Sequence, residues 1–279
     1  MATISAADVN KLRQQTGIGM MDCKKALVEA EGDFEKAIDI LRKKGQKVAA
    51  KRADRESNEG RLLAKTNADH TKGYLLAVAC ETDFVGKGDE FVQFVDNLMN
   101  NAMEAGVSTR EELLDMTIDG MKVSEKLTEL TGKTGEKIEL PHFDVMEAAY
   151  VEAYNHMGNH KATLVGFNKA DDNAKTVAHN VALHITAMSP VALDETNVPQ
   201  EVIDHEMEIN RELVRQEGKP EEMVEKIAQG KLNKFFKEST LMYQILVMGG
   251  DGKQNVRDYI KSSDKDLACT GFIRRQIGA

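Results

Sequence analysis

The chain has 279 residues, which is enough for two or three domains with hydrophobic cores of their own. Its net charge of −9 argues against general nucleic-acid binding, because phosphate contacts need a basic surface. The apolar runs are too short to span a bilayer, and the start MATISAADVN carries no secretory signal, so we expect a cytoplasmic protein with no membrane partner. Three widely spaced cysteines favour reduced thiols over a disulfide framework.

Three short helices are predicted in the first 45 residues. Ser5 and Asp8 form a capping-box pattern, and Gly17 is placed to end the first helix. Met20 lies on the apolar face of the second helix, and Asp33 can cap the third, which we expect to end before Gly45. Helices of this length are unstable alone, so they should pack as a small bundle.

The most basic stretch of the chain is RKKGQKVAAKRADR, residues 42–55. It contains no aromatic side chain on which a base could stack, which favours a solvated helix or linker over a nucleic-acid site. We therefore interpret the part after Gly45 as a tether, and we assign residues 1–55 to an N-terminal domain with its linker.

A different pattern begins near residue 60 and occurs twice. RLLAKT and YLLAVAC around NADHTKG predict a β-hairpin, and the following helix has an apolar stripe of Phe91, Val95, Leu98 and Ala102. Later, DVMEAAYVEAY and KATLVGFN flank NHMGNH, before a helix with Val177, Val181, Ile185 and Met188 on one face. The repeat suggests an α+β core of two related halves, 56–140 and 141–279.

Residues 197–237 predict an antiparallel helical hairpin inserted in the second half. Asn197 and Pro199 mark a helix start, Gly218 a stop, and Pro220 a second start. The expected apolar seam is thin and consists of Val202, Ile209, Leu213, Met223, Ile227 and Phe235. Such a pair should project from the body or lean on a partner. A helix at KQNVRDYI and a strand at LACTGFIRRQ are predicted to follow.

Motifs for covalent chemistry are missing from the sequence. It has no phosphate-binding loop, dinucleotide-binding glycines, nucleophile elbow or zinc helix, so we predict neither an enzyme nor a cofactor. The best metal candidates, His156 and His160, stand four residues apart in a predicted turn, where they do not share a helical face. We therefore expect no metal site.

The stretch VACETDFVGKGDEFV, residues 78–92, places Phe84 beside Asp83 at the end of a predicted strand. In one interpretation, Asp83 caps the next helix while Phe84 packs back onto its first turn. In the other, both side chains are exposed for contact with another molecule. The local sequence alone favours the first interpretation.

Residues 12–33, LRQQTGIGMMDCKKALVEAEGD, resemble the N-terminal motif of the bacterial elongation factor Ts family, the nucleotide-exchange factors of the translational GTPase elongation factor Tu. Further resemblance lies in TDFV (82–85), YNHMG (154–158), GKPEEMVEKIAQGKLNKFF (218–236) and TGFIR (270–274). These stretches cover nearly the whole chain in order. The resemblance implies a ubiquitin-associated-like (UBA-like) three-helix domain, a core of two related halves and a protruding coiled-coil hairpin.

The resemblance also implies roles in protein biosynthesis. The residues that would displace Mg²⁺ from the partner GTPase are Thr82, Asp83, Phe84 and Val85. Those that would bind the partner are Arg13, Met20, Met21, Lys24, His156, Val247 and Met248. Elongation factor Tu, either GDP-bound or nucleotide-free, is the implied partner, without direct nucleic-acid contact.

Two stretches depart from the family pattern. QILVM, residues 244–248, lacks the proline and phenylalanine that usually precede the valine, and Asn159, His160 and Lys161 replace a glycine-and-arginine turn. Two other functions remain open: an adaptor that uses residues 1–55 to bind ubiquitin-like folds, and an RNA-binding factor that uses residues 42–55. Neither explains the TDFV stretch.

Overall fold

The structure is a computed structural model that describes residues 4–249 and 252–278. It combines helices with small antiparallel sheets, as an α+β fold requires. At the N-terminus lie helices α1 (Ala6–Thr16), α2 (Met20–Glu29) and α3 (Phe34–Lys51). The predicted capping box of Ser5 and Asp8 forms, and Gly17 ends α1 in the left-handed conformation. The apolar faces of the three helices enclose one core, which includes Leu12, Cys23, Leu27, Ala37 and Leu41.

Helix α3 does not stop at Gly45, so the predicted tether beginning there is wrong for residues 46–51. Gly45 is buried where α3 crosses helix α7 (Val123–Thr134). A Cβ atom added to Gly132 of α7 would lie 2.6 Å from the Gly45 Cα atom. Gly45 and Gly132 therefore permit a close crossing of the two helices, and α3 continues through Gly45 to Lys51.

The first sheet has the order β1-β2-β5, all antiparallel. Its strands are β1 (Glu59–Thr66), β2 (Lys72–Cys80) and β5 (Glu139–Glu147). Between β2 and β5 the chain forms α4 (Asp83–Gly86), α5 (Asp89–Ala105), α6 (Arg110–Asp115), the short pair β3 (Thr117–Ile118) and β4 (Met121–Lys122), and α7. One face of this sheet packs against α5 and α7 around Leu76, Val78, Val95, Leu98 and Leu127.

The second sheet has the order β6-β7-β8 and is also antiparallel. Its strands are β6 (Tyr150–Asn155), β7 (Lys161–Phe167) and β8 (Cys269–Gln276), covered by α8 (Asp172–Met188) and α11 (Val256–Ser263). Val177, Val181 and Ile185 of α8 are buried as predicted, whereas Met188 in the last turn is exposed. The other faces of the two sheets meet around Leu62, Leu75, Val151 and Leu164.

The segment DVMEAAYVEAY does not form one strand. Its first residues end β5, which pairs with β2 in the first sheet, and the chain then turns into β6 of the second sheet. The boundary predicted between residues 140 and 141 consequently falls inside β5. Alternation of side chains could not reveal this change of sheet, because both halves of the segment have strand-like composition.

Helices α9 (Gln200–Gln216) and α10 (Glu221–Ser239) pack against each other and are joined by a short connection. The predicted seam is partly wrong, because Ile209, Leu213 and Met223 are exposed. The buried positions are instead Met207, Asn210, Val214, Val224, Ala228 and Leu232. Asn210, Val214, Val224 and Ala228 each lie one residue beyond a predicted position, about 100° around the helix, and the small Ala228 allows close packing. In the described part of the chain, each helix is too short or too polar to cross a membrane.

Candidate functional site

The TDFV residues form a tight elbow between β2 and α5, defined here as residues 82–86. Thr82 caps the one-turn helix α4, since its Oγ1 accepts a hydrogen bond from the Val85 N–H at 3.4 Å. The Glu136 carboxylate in turn accepts hydrogen bonds from the Thr82 N–H at 3.0 Å and from the Thr82 hydroxyl at 2.7 Å. Glu136, which lies two residues after the end of α7, therefore braces the first residue of the elbow.

Phe84 is 88% exposed, so it does not pack back onto the next helix. Asp83 does not cap that helix either, because the N-cap residue of α5 is Gly88 and no side chain caps the helix. Asp83 instead accepts a hydrogen bond from Lys87 Nζ at 2.8 Å, and this bond lowers the pKa of its carboxyl group. The structural interpretation of this pair is thus wrong, and an acid and an aromatic ring are presented to solvent.

The other half of the elbow anchors it to the core. Val85 packs against the first hydrophobic core, and Gly86 is buried against β1. A Cβ atom on Gly86 would lie 3.1 Å from the backbone nitrogen of Gly60. This close approach fixes the elbow on the first strand, so Phe84 projects from a rigid support. Beside it opens a small cavity of about 170 Å³, with Phe84, Phe91, Leu130 and Ile138 among its lining residues.

The turn between β6 and β7 lies next to the same end of β1. The Leu62 N–H donates a hydrogen bond to the Asn159 carbonyl at 2.8 Å, and His160 Nε2 lies 3.3 Å from a Glu59 carboxylate oxygen. His156 is exposed and its Nδ1 lies 3.3 Å from the Tyr154 hydroxyl. Both this turn and the elbow are therefore held by the first residues of β1, although they are far apart in sequence.

Met157, at the tip of that turn, is 91% exposed. It is not among the contact residues predicted from the sequence, although an apolar residue in the polar turn NHMGNH is a usable signal. The structure thus places a second exposed apolar side chain near the β1 end that supports Phe84. For the residues with described coordinates, no group of three His, Cys, Asp or Glu side chains could hold a metal ion.

A second group of predicted contact residues lies on the N-terminal helices. Arg13 on α1 is exposed, as are Met20, Met21 and Lys24 on α2. Val28 is 58% exposed one further turn along α2, and its spacing of seven residues from Met21 puts both on one helical face. We call four exposed residues of α2, namely Met20, Met21, Lys24 and Val28, the α2 patch.

The third predicted contact, Val247 and Met248, lies in an exposed loop that a buried histidine supports. The Val247 N–H donates to His184 Nδ1 at 3.3 Å, and His184 Nε2 lies 3.0 Å from Gln244 Oε1. These partners require a neutral ring with its proton on Nε2. Burial lowers the pKa of His184, which keeps the ring neutral.

The cysteines are all buried and free of disulfides. Burial raises the pKa of Cys80 and of Cys269 to about 12, so both are thiols near neutral pH rather than nucleophilic thiolates. The exposed features of the molecule are instead apolar and charged side chains on rigid supports. Exposed apolar side chains that are grouped on one surface are typical of sites of interaction with another macromolecule.

Comparison with known proteins agrees with these features. The family model described as "Elongation factor TS" matches residues 81–279. A protein of Christiangramia forsetii named "Elongation factor Ts" is 52% identical over 278 residues, covering 100% of both chains. Proteins of the same name from Flavobacterium psychrophilum and Porphyromonas gingivalis are 49% and 42% identical, over 278 and 277 residues. The coverage is 100% of both chains for the former and 99% of both for the latter.

Proposed function

This chain belongs to the elongation factor Ts family, and we propose that it binds the GDP form of elongation factor Tu and accelerates GDP release so that GTP can bind. The observation that carries this proposal is the exposure of Phe84 on an elbow that Glu136 and Gly60 hold in place. Exchange of this kind is a binding function and needs no covalent step.

The physical basis of exchange is linkage between two ligands of the same GTPase. A GTPase holds its nucleotide through backbone N–H groups, a lysine and Mg²⁺ on the phosphate oxygens. A nucleotide with a nanomolar dissociation constant has a binding free energy of about 12 kcal/mol, so its spontaneous release is slow. A factor that binds the nucleotide-free state more tightly lowers nucleotide affinity, and the nucleotide weakens factor binding by the same amount.

Mg²⁺ is the sensitive point of such a site, because it requires near-ideal octahedral geometry. We assign Phe84 the part of an apolar wedge beside the partner's Mg²⁺ and phosphate loop, with Asp83 as a local hydrogen-bonding or repelling group. Thr82 and Val85 hold these two side chains in position. Burial of one phenylalanine contributes only about 1.5 to 3 kcal/mol, so the wedge must be supported by wider contacts.

Three further surfaces are available for those contacts. We propose that the α2 patch with Arg13 faces the partner's nucleotide-binding domain, and that His156 and Met157 support the wedge from the adjacent turn. Val247 and Met248 then contact a different domain of the partner. All of these side chains are solvent-exposed and available for binding. The buried His184 supports the last pair by accepting a hydrogen bond from the Val247 N–H.

The finer architecture is also a proposal. The shared core of α1 to α3 supports a UBA-like domain within residues 1–55, and the packing of α9 on α10 supports a coiled-coil hairpin within 197–237. We propose that the first half of the core begins at residue 56 and extends to the end of β5, with the second half following. As a factor of protein synthesis, the chain is proposed to act in the cytoplasm.

Capture of the partner in two nucleotide states tests the function. The immobilised full chain is incubated with purified elongation factor Tu, either stripped of nucleotide or with excess GDP. We expect retention of the stripped form and release of it when GDP is added. Retention that is indifferent to GDP would indicate an adaptor, and retention of RNA that weakens steeply with salt would indicate an RNA-binding factor.

A further inference from the structure

The end of α3 is attached to the segment that leads into the elbow. Arg52 follows the last residue of α3, and its NH1 group donates to both carboxylate oxygens of Glu81, at 2.8 and 2.7 Å. Glu81 also accepts a hydrogen bond from the Lys137 N–H at 2.6 Å. That bond and the Arg52 guanidinium lower the pKa of Glu81, which keeps it ionised. We call Arg52, Glu81 and Lys137 the clamp.

The clamp lies directly beside the brace of the elbow. Glu81 precedes Thr82 in sequence, and Lys137 follows Glu136, the residue that accepts both hydrogen bonds from Thr82. The end of α3, the start of the elbow and the end of α7 therefore meet at one place. Seven residues earlier, α3 also crosses α7 at Gly45 and Gly132. Two attachments along one helix fix both its position and its direction.

The segment is thus a rigid connection where the sequence suggested a tether. We propose that the clamp holds the α2 patch at a set distance from Phe84, so that both contact one GTPase molecule at the same time. The inference rests on the proposed function and adds a positioning role for Arg52 and Glu81, which need not touch the partner. A flexible connection would lower the effective concentration of the second contact once the first has formed.

The ion pair is placed where it can have a measurable effect. The Glu81 side chain is only 17% exposed and that of Arg52 is 36% exposed, so solvent screens the pair less than a fully exposed one. Hydrogen bonds to charged groups are stronger than neutral ones. The partial exposure of Arg52 reduces the energy of the pair. Its loss should therefore increase the population in which residues 51–55 are detached from the core about tenfold.

Glu81→Gln is the sharpest perturbation. The glutamine carbonyl can still accept from the Lys137 N–H, whereas the charge that holds Arg52 is lost. A matched control is Asp144→Asn, because Arg275 donates to both oxygens of Asp144 at 2.9 and 2.7 Å with similar exposures of 40% and 18%. That pair joins β8 to β5, away from the N-terminal helices.

The first measurement is limited cleavage of the full chain by trypsin under native conditions, followed at Lys51, Arg52 and Arg55. All three cleavage sites remain in both variants. We expect Glu81→Gln to be cut there about tenfold faster than the native chain, and Asp144→Asn to be cut at the native rate. Equal cleavage of Glu81→Gln and the native chain would overturn the proposal.

The second measurement asks whether the two contacts are coupled through the clamp. GDP release from elongation factor Tu is measured with Lys24→Ala in the native and in the Glu81→Gln background. In the native background, where the clamp is intact, we expect Lys24→Ala to slow stimulated GDP release about fivefold. In the Glu81→Gln background, where the clamp is broken, we expect Lys24→Ala to slow it by less than about twofold. A mere loss of stability would leave the Lys24→Ala factor unchanged.

The outcomes separate the two proposals. Equal Lys24→Ala factors in both backgrounds, with an active native chain, overturn the clamp and leave the exchange function standing. A native chain that does not accelerate GDP release overturns the exchange function itself. A smaller factor in the Glu81→Gln background, unchanged by Asp144→Asn, supports the clamp.

Discussion

Replacement of Phe84 by alanine is the most informative single change in the exchange site. Its ring is almost fully exposed in the free protein and makes little contribution to folding. If it enters an apolar site of the GTPase during exchange, its burial contributes about 1.5 to 3 kcal/mol. A loss of about 2 kcal/mol corresponds to about a 30-fold lower rate of stimulated GDP release at subsaturating factor.

The assay follows release of a fluorescent GDP analogue from elongation factor Tu over a range of factor concentrations. The maximal rate and the half-saturating concentration are obtained separately. A wedge that acts in the transition state lowers the maximal rate, whereas a simple docking contact raises only the half-saturating concentration. Phe84→Leu, which keeps an apolar side chain, should recover part of the rate.

Thermal unfolding of the same variants is the control for folding. Because Phe84 packs on little within the chain, its melting temperature should remain within about 2 °C of the native value. Full stimulation by Phe84→Ala at every concentration would refute the wedge. A large loss of melting temperature would refute the description of the elbow as independent of the phenylalanine ring.

Three other predictions concern parts of the structure around the site. Gly132→Ala should lower the free energy of unfolding by about 1 to 3 kcal/mol, because the new Cβ atom would lie 2.6 Å from the Gly45 Cα atom. Gly45→Ala should lower it less, because the atom nearest to a Cβ on Gly45 is 3.4 Å away. Denaturant unfolding of both variants measures the difference, and equal effects would contradict the described helix crossing. Burial lowers the pKa of His184 in the folded chain below about 6.5, the value for a histidine in the unfolded chain. Its contribution to stability is therefore complete above about pH 6.5 and decreases as the pH falls below that value, because the unfolded chain then binds the proton more readily. The melting temperature of His184→Gln should therefore depend less on pH between pH 8 and 5 than that of the native chain. The same pH dependence in both proteins would contradict this contribution of His184. Burial also lowers the pKa of His142, but His142 is present in both proteins and contributes equally to each. The buried thiols should react with a disulfide reagent at pH 8 only after unfolding, and a rapidly reacting cysteine in the native protein would contradict the described burial.

Local signals predicted the ends of elements where one residue determines the backbone. Ser5 with Asp8 and Gly17 mark the ends of α1, because a cap and a left-handed glycine act within a few residues. The same logic failed at Gly45, where a glycine that could end a helix instead allows contact with Gly132. The partner glycine lies far away in sequence, so no local pattern could distinguish the two uses.

The candidate site shows the same division. The sequence identified Asp83 and Phe84 as unusual, but it favoured a cap and a packed ring, since nothing local revealed that Thr82 is the cap. The brace by Glu136 and the clamp by Arg52 join residues that are distant in sequence. The predicted seam of the α9–α10 hairpin consists of large apolar residues, and part of that prediction is wrong. Close packing of the two helices uses the small Ala228 and leaves Ile209 exposed.

The central claim is tested most directly by GDP dissociation from purified elongation factor Tu in the presence and absence of the native chain. The account predicts that the dissociation rate rises with factor concentration to a plateau, and that excess GDP releases the factor from its partner. A dissociation rate that stays at its spontaneous value at all concentrations of a correctly folded chain would contradict it.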